Sequence, residues 1–180
     1  MPRALVARRW FCDGIAMAIP SRIVRGISFD YGHVLGGLDL CELEGRLTPA
    51  SAQVRDERIA AMRGSMAAAF RVHDTVLAAE GSHARAWHVF MFTLVSAALP
   101  QATKAELQET VETLWKAQPT RNLWRHLPAA ALRLLSDLQR AGVPMVVPPN
   151  SEGRARDLFV ELGVADFFAD VIDSGRLGFA

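Results

Sequence analysis

The side chains best placed for chemistry stand at the ends of apolar runs. Val24 to Phe29 reads as a short buried strand, with Gly26 its weak point, and Asp30 follows it directly. A glycine turn begins at Gly32. In open parallel α/β sheets, ligands bind just beyond the carboxyl ends of the strands. A carboxylate at that place is a functional group, an N-cap or a turn residue. His33 can supply a proton there, or be a plain turn histidine. A second apolar run, Val143 to Val147, leads to Asn150 and Ser151, and Ser151 can cap the helix that follows. His73, His83 and His88 fall at no consistent metal spacing, and Cys12 and Cys41 form neither a disulfide framework nor a metal set.

The elements around these residues follow from pattern and punctuation. From Ala50 to about Ala79 the chain is rich in Ala, Arg, Glu and Met and holds no proline, which predicts a long helix. Ser82 can cap a second helix reaching Leu99, with Trp87, Phe90, Met91, Leu94, Val95 and Ala98 at helical spacing. Thr103 and Glu106 form a capping-box pattern before Leu107, Val111, Leu114 and Trp115. After Pro128, a helix is predicted to turn Ala130, Leu134, Leu135 and Leu138 inward and to stop at Gly142. Val143–Val147 reads as a buried parallel strand with Pro144 near its beginning. The next helix carries Leu158, Phe159 and Leu162 inward and ends at Gly163, and Val171-Ile172 gives a third short strand. Strands alternating with helices predict a doubly wound α/β fold.

Three stretches, taken in order, resemble one family. Phe29-Asp30-Tyr31-Gly32-His33-Val34-Leu35 is similar to the first motif of the haloacid dehalogenase-like (HAD) hydrolases, an apolar strand followed by Asp-x-Asp-Gly-Thr/Val-Leu. Ala141 to Val147 and then Asn150-Ser151-Glu152-Gly153 resemble the family's second strand and its Ser/Thr-Asn loop. Leu162 to Phe168 and on to Asp173-Ser174-Gly175 resembles the approach to its lysine motif. The resemblance covers roughly residues 22–36 and 127–180. It implies a HAD-like Rossmannoid parallel sheet, incomplete, with residues 37–126 as an inserted α-helical cap domain. The family's lysine is expected one position past Ala180, and its acidic fourth motif has no counterpart here. The chain is therefore expected to be truncated and poorly stable alone, with an exposed sheet edge open to self-association.

The chemistry implied by the resemblance is hydrolysis through a covalent aspartyl intermediate, with Asp30 as nucleophile. The implied cofactor is Mg²⁺, held by the Asp30 carboxylate and the backbone carbonyl of Gly32. The family's second Asp also serves as acid and base. Gly32 stands in its place and keeps only the carbonyl, a loss typically worth about 10²–10⁴-fold in rate. The Ser/Thr that donates to the phosphate is replaced by Pro149, which can donate nothing. Asn150 and Ser151, with backbone N–H groups at the next helix start, are the implied substitutes, unless Ser151 is only an N-cap. Asp173 ends the third strand and has no catalytic counterpart in the family. The implied activity is a magnesium-dependent phosphatase acting on small phosphoesters, weak or absent in this chain. The alternatives are a dehalogenase-type hydrolase and a non-catalytic remnant that binds a partner.

Composition bounds these readings. Hydrophobic residues make up 51% of the 180, which argues against disorder. Twenty basic against 19 acidic side chains leave a net charge of +1 and no electrostatic case for nucleic acid. No segment reaches the roughly 18 uninterrupted apolar residues of a membrane helix. Two cysteines without a disulfide framework or metal spacing make a reduced cytoplasmic setting the expectation. Residues 1–21 read as a disordered or artefactual extension, with translation starting at Met17, rather than as a poor signal peptide interrupted by Asp13 and Gly14. Trp87, Trp115 and Trp124 are read as packing residues rather than a nucleotide-stacking site. Arg63 and Lys104 can reach a substrate from the insertion, but nothing selects them over other charges.

Overall fold

The computed structural model describes residues 25–32, 34–148 and 154–173. The expectations for residues 1–21, His33, Pro149, Asn150, Ser151 and the stretch after Asp173 lie outside the described residues. Within them the order is β1 (Ile27–Ser28), α1 (Leu40–Glu44), α2 (Ala52–Glu80), α3 (His83–Ala98), α4 (Lys104–Ala117), α5 (Ala129–Arg140), β2 (Met145–Val147), α6 (Ala155–Glu161) and β3 (Asp170–Val171). A 3₁₀ turn at Ala165–Phe167 precedes β3. The three strands form one parallel sheet in the order β1-β2-β3. Ile27 lies opposite Met145, and Val146 lies opposite Asp170. The chain is thus an α/β protein, with a small parallel sheet and a mostly helical remainder.

Local chemistry sets the helix ends. The Ser51, Ser82 and Thr103 side chains accept N–H bonds from Val54, Arg85 and Glu106 at the starts of α2, α3 and α4. Glu106 reaches back to the Thr103 N–H at 2.7 Å, which completes the capping box. Gly142 and Gly163 end α5 and α6 at φ +70° and +67°. Around them the Val143 N–H donates to the Leu138 carbonyl and the Val164 N–H to that of Phe159, the long bonds of a Schellman end.

Two clusters of buried side chains result. One joins α1–α4 through Leu43, Met62, Phe90, Met91, Leu94 and Leu114. The other lies on the sheet, with Leu35, Leu135, Met145, Val147 and Phe159. Trp124 packs against both. Where the chain leaves the sheet for the helices and returns, Gly37 and His126 exchange N–H···O bonds of 2.9 and 3.0 Å in an antiparallel bridge. Among the described residues, no helix is long and apolar enough to cross a membrane.

Several expectations need correction. β2 starts at Met145 rather than Val143, because the Val143 N–H is spent on closing α5. β3 covers Asp170–Val171, one residue earlier than predicted, although the Ile172 N–H still donates to the Val147 carbonyl. On α5 the inward face is Ala131, Leu135 and Leu138. Ala130 and Leu134 face solvent, since each sits about 100° round the helix from the inward position that follows it. Among the described residues, α6 begins at Ala155 with Arg154 at its N-cap position and no side-chain cap bond. α1 was not anticipated.

Candidate functional site

Three parallel strands deliver three chain segments to one edge of the sheet. Beyond β1 stands Asp30, beyond β2 Pro148, and beyond β3 Asp173. The β1 ladder extends one residue past the strand, with the Phe29 N–H donating to the Val146 carbonyl at 2.9 Å. Asp30 is the first residue free of that ladder, and it is exposed. This is the edge at which ligands bind in parallel α/β sheets.

The turn after Asp30 is wound around one carbonyl. The Tyr31 C=O accepts from the N–H groups of Val34, Leu35 and Gly36 at 3.4, 3.1 and 2.9 Å. Its side chain turns inward and is 7% exposed. The ring lies 4.8 Å from that of Phe159, and the hydroxyl donates to the Trp124 carbonyl at 2.7 Å. Gly36 makes room for it, because a Cβ there would stand 2.6 Å from Tyr31 Cζ. Burial pushes the Tyr31 hydroxyl well above the usual phenol range, and the positive charge of Arg125 opposes this. Gly32 is half-buried, with open space where a Cβ would point. Asp30 and Gly32 are thus neighbours in one tight turn at the predicted edge.

Asp173 occupies the same edge in a different state. It is 3% exposed, and its Oδ2 accepts from the Ala155 N–H at 2.8 Å. It serves α6 from a distance as an N-cap would. The sequence offered no signal for this bond, because the partners lie 18 residues apart.

Were a magnesium ion bound as the sequence resemblance implies, the described groups that would hold it are the Asp30 carboxylate and the Gly32 carbonyl. Among the described residues, no group of three His, Cys, Asp or Glu side chains is gathered to hold a metal. Magnesium is commonly bound through one or two carboxylates, substrate phosphate oxygens and waters. Two hard oxygen donors are compatible in type with such an ion and would not make a dedicated protein cage.

The helical region carries charge of a structural kind. Glu42 accepts from Arg46 Nε and Nη2 at 3.0 and 2.8 Å and from Arg121 Nη2 at 3.0 Å. These guanidiniums, Arg46 first, hold its carboxyl below the usual carboxylate range, against a smaller effect of burial. Buried Glu44 ties α1 to α2 through Arg55 and Arg58. His73 pairs with Asp74, and His88 with Glu112 and the Ala84 carbonyl. Trp87 and Trp115 pack together with 5.0 Å between ring centroids. Arg63 and Lys104 are exposed. An open groove of about 1210 Å³ runs past Arg46, Arg58, Leu99, Glu106 and Leu114, with no wall from the described residues at the strand ends. A cleft of about 90 Å³ lies between Asn122 and Arg154.

No protein-family model matches the chain, and no curated protein matches it. Among solved structures it is similar to a protein described as the HAD-hydrolase YfnB from Bacillus subtilis, bound to magnesium. The two are 18% identical with a TM-score of 0.49, over 88% of this chain and 67% of that one. At that identity and score the likeness assigns nothing to this chain.

Proposed function

We propose that this chain is a HAD-type hydrolase whose lineage is that of a magnesium-dependent phosphatase for small phosphoesters. The observation that carries the reading is the exposed Asp30 carboxylate at the carboxyl end of a parallel strand, followed by a turn that buries Tyr31 and leaves Gly32 open. In this reading the Asp30 carboxylate attacks phosphorus in line with the leaving group and forms an aspartyl phosphate, which water then hydrolyses. A magnesium ion, when bound by Asp30 and the Gly32 carbonyl, neutralises charge on the phosphoryl oxygens. Asn150 and Ser151 supply donors to the phosphate. Gly32 leaves the leaving group without an acid and the water without a base, so turnover is slow.

The test is release of phosphate from p-nitrophenyl phosphate, with and without magnesium, by the wild type and by Asp30→Asn. Slow, magnesium-dependent release that disappears in Asp30→Asn is the expected result. Release that persists in Asp30→Asn contradicts the reading. A second reading, a non-catalytic chain that acts by binding a partner, is favoured by the carboxylate missing at Gly32 and the hydroxyl missing at Pro149. It predicts no release at any protein concentration.

A further inference from the structure

One side chain joins the turn that carries Asp30 to the region where the helices leave the sheet. Trp124 belongs to both cores, and its ring stacks on Phe90 of α3 with 5.8 Å between centroids and 28° between planes. Its carbonyl accepts the Tyr31 hydroxyl at 2.7 Å. Tyr31 is the residue next to Asp30, and its own carbonyl organises the turn through three N–H bonds. The partners are 93 residues apart in sequence, so the bond reports tertiary placement and not local geometry.

Other contacts near this neck do not do the same work. The Gly37–His126 bridge holds the two connecting segments to each other. The Arg125–Glu161 pair, at 3.8 Å and partly exposed, reaches α6. The bond from Tyr31 leads to the Asp30 turn itself, and it is sheltered. Phe159 on one side and the bare Cα of Gly36 on the other leave the ring little freedom.

We propose that Tyr31 is a positioning residue. Its hydroxyl ties the Asp30 turn to Trp124, so that the attitude of the helical layer over the strand ends sets the aim of the Asp30 carboxylate. The inference rests on Asp30 being the nucleophile. Misplacement of a reacting group by about 1 Å can cost of order 10²-fold in rate, so a tie that holds this aim matters even though it touches no substrate.

Tyr31→Phe tests it, because the variant keeps the ring and removes only the hydroxyl. Two readouts are taken on the full chain. The first is the kinetics of magnesium-dependent phosphate release. The second is the distance between nitroxide labels at Arg71→Cys on α2 and Arg133→Cys on α5, with Cys12 and Cys41 changed to serine. The expected result is a kcat lowered by about tenfold with KM within about twofold, together with a broadened distance distribution. An unchanged kcat overturns the proposal whatever the labels report. A loss of activity that only matches a loss of folded protein overturns it as well. A wild type with no magnesium-dependent release sinks the proposed function instead. The labels then judge the tie alone, and an unaltered distribution overturns it.

Discussion

Asp30 and Gly32 sit two residues apart and divide the chemistry unevenly. Asp30 presents an exposed carboxylate at a strand end, the nucleophile of the proposed reading. Gly32 offers a carbonyl and nothing more. Among the described residues, and its chain neighbours apart, a Cβ added there meets no atom within 4 Å. Gly32→Asp therefore adds a Cβ that meets none of the described residues beyond its chain neighbours. On an alkyl phosphate, whose leaving group needs a proton, the variant is expected to raise phosphate release by about 10²-fold or more. The gain is smaller on p-nitrophenyl phosphate, whose leaving group departs without help. Equal rates for variant and wild type on the alkyl ester, measured by colorimetric phosphate assay, would count against Asp30 as the nucleophile. Tyr31 adds a second lesson at this scale. It is the chain's one tyrosine, an amphipathic side chain inside an apolar motif that needs a partner when buried. Its partner lies 93 residues away in sequence.

At the scale of elements, α1 shows how a segment too short to be helical alone is held. Five residues are well under the length at which an isolated helix is stable. The Asp39 side chain accepts the Cys41 and Glu42 N–H groups, and the Glu42 and Glu44 carboxylates bind arginines from further along the chain. Glu42 carries a pH dependence whose sign is fixed. Its folded pKa lies below the ordinary 4.5 because the Arg46 guanidinium favours the charged form. Its stabilisation is thus fully present above about pH 4.5 and is lost as pH falls through the folded value. Glu42→Gln is expected to cost about 1 kcal/mol at pH 7. In urea titrations the difference from wild type should shrink towards zero in acid. A difference that persists there would show that the carboxylate's charge is not what stabilises α1.

The same contrast between near and distant partners explains what the sequence reveals. The starts of α3 and α4 were legible because Ser82 and Thr103 act on N–H groups three residues away. The ends of α5 and α6 were legible because glycine alone enters the left-handed region without strain. α1, the start of α6 and the Tyr31 bond were not legible, since arginines, Asp173 and Trp124 complete them from other elements. The residue pattern leaves the inward face of α5 open by one position, because Ala130-Ala131 and Leu134-Leu135 are pairs of the same residue and only the packing chooses between them. Of the candidate site, Asp30 and Gly32 could be placed at a strand end from the sequence. Asn150 and Ser151 lie outside the described residues.

At the scale of the molecule, β1 is paired on one side only among the described residues. Ile27 and Phe29 there are half-buried, and Leu132, Leu134 and Val34 are exposed. An unpaired apolar strand edge is a template for another strand. We therefore propose that the 180-residue chain self-associates through this edge. Sedimentation velocity is expected to show mass rising with concentration. Ser28→Lys, which puts a charge on the exposed side of β1, is expected to reduce it. Association that is indifferent to Ser28→Lys would move the contact elsewhere.

The central claim is that Asp30 attacks phosphorus, and the most direct test is to trap what it forms. On that reading, with no acid/base residue at Gly32, water would attack an aspartyl phosphate slowly, so the intermediate should accumulate when the leaving group needs no proton. The measurement is mass spectrometry of acid-quenched protein after exposure to acetyl phosphate and magnesium, with peptide mapping. The account predicts one hydroxylamine-labile phosphoryl group on the peptide containing Asp30, dependent on magnesium and missing in Asp30→Asn. Folded wild-type protein that acquires no such group, or acquires it equally in Asp30→Asn, would contradict it.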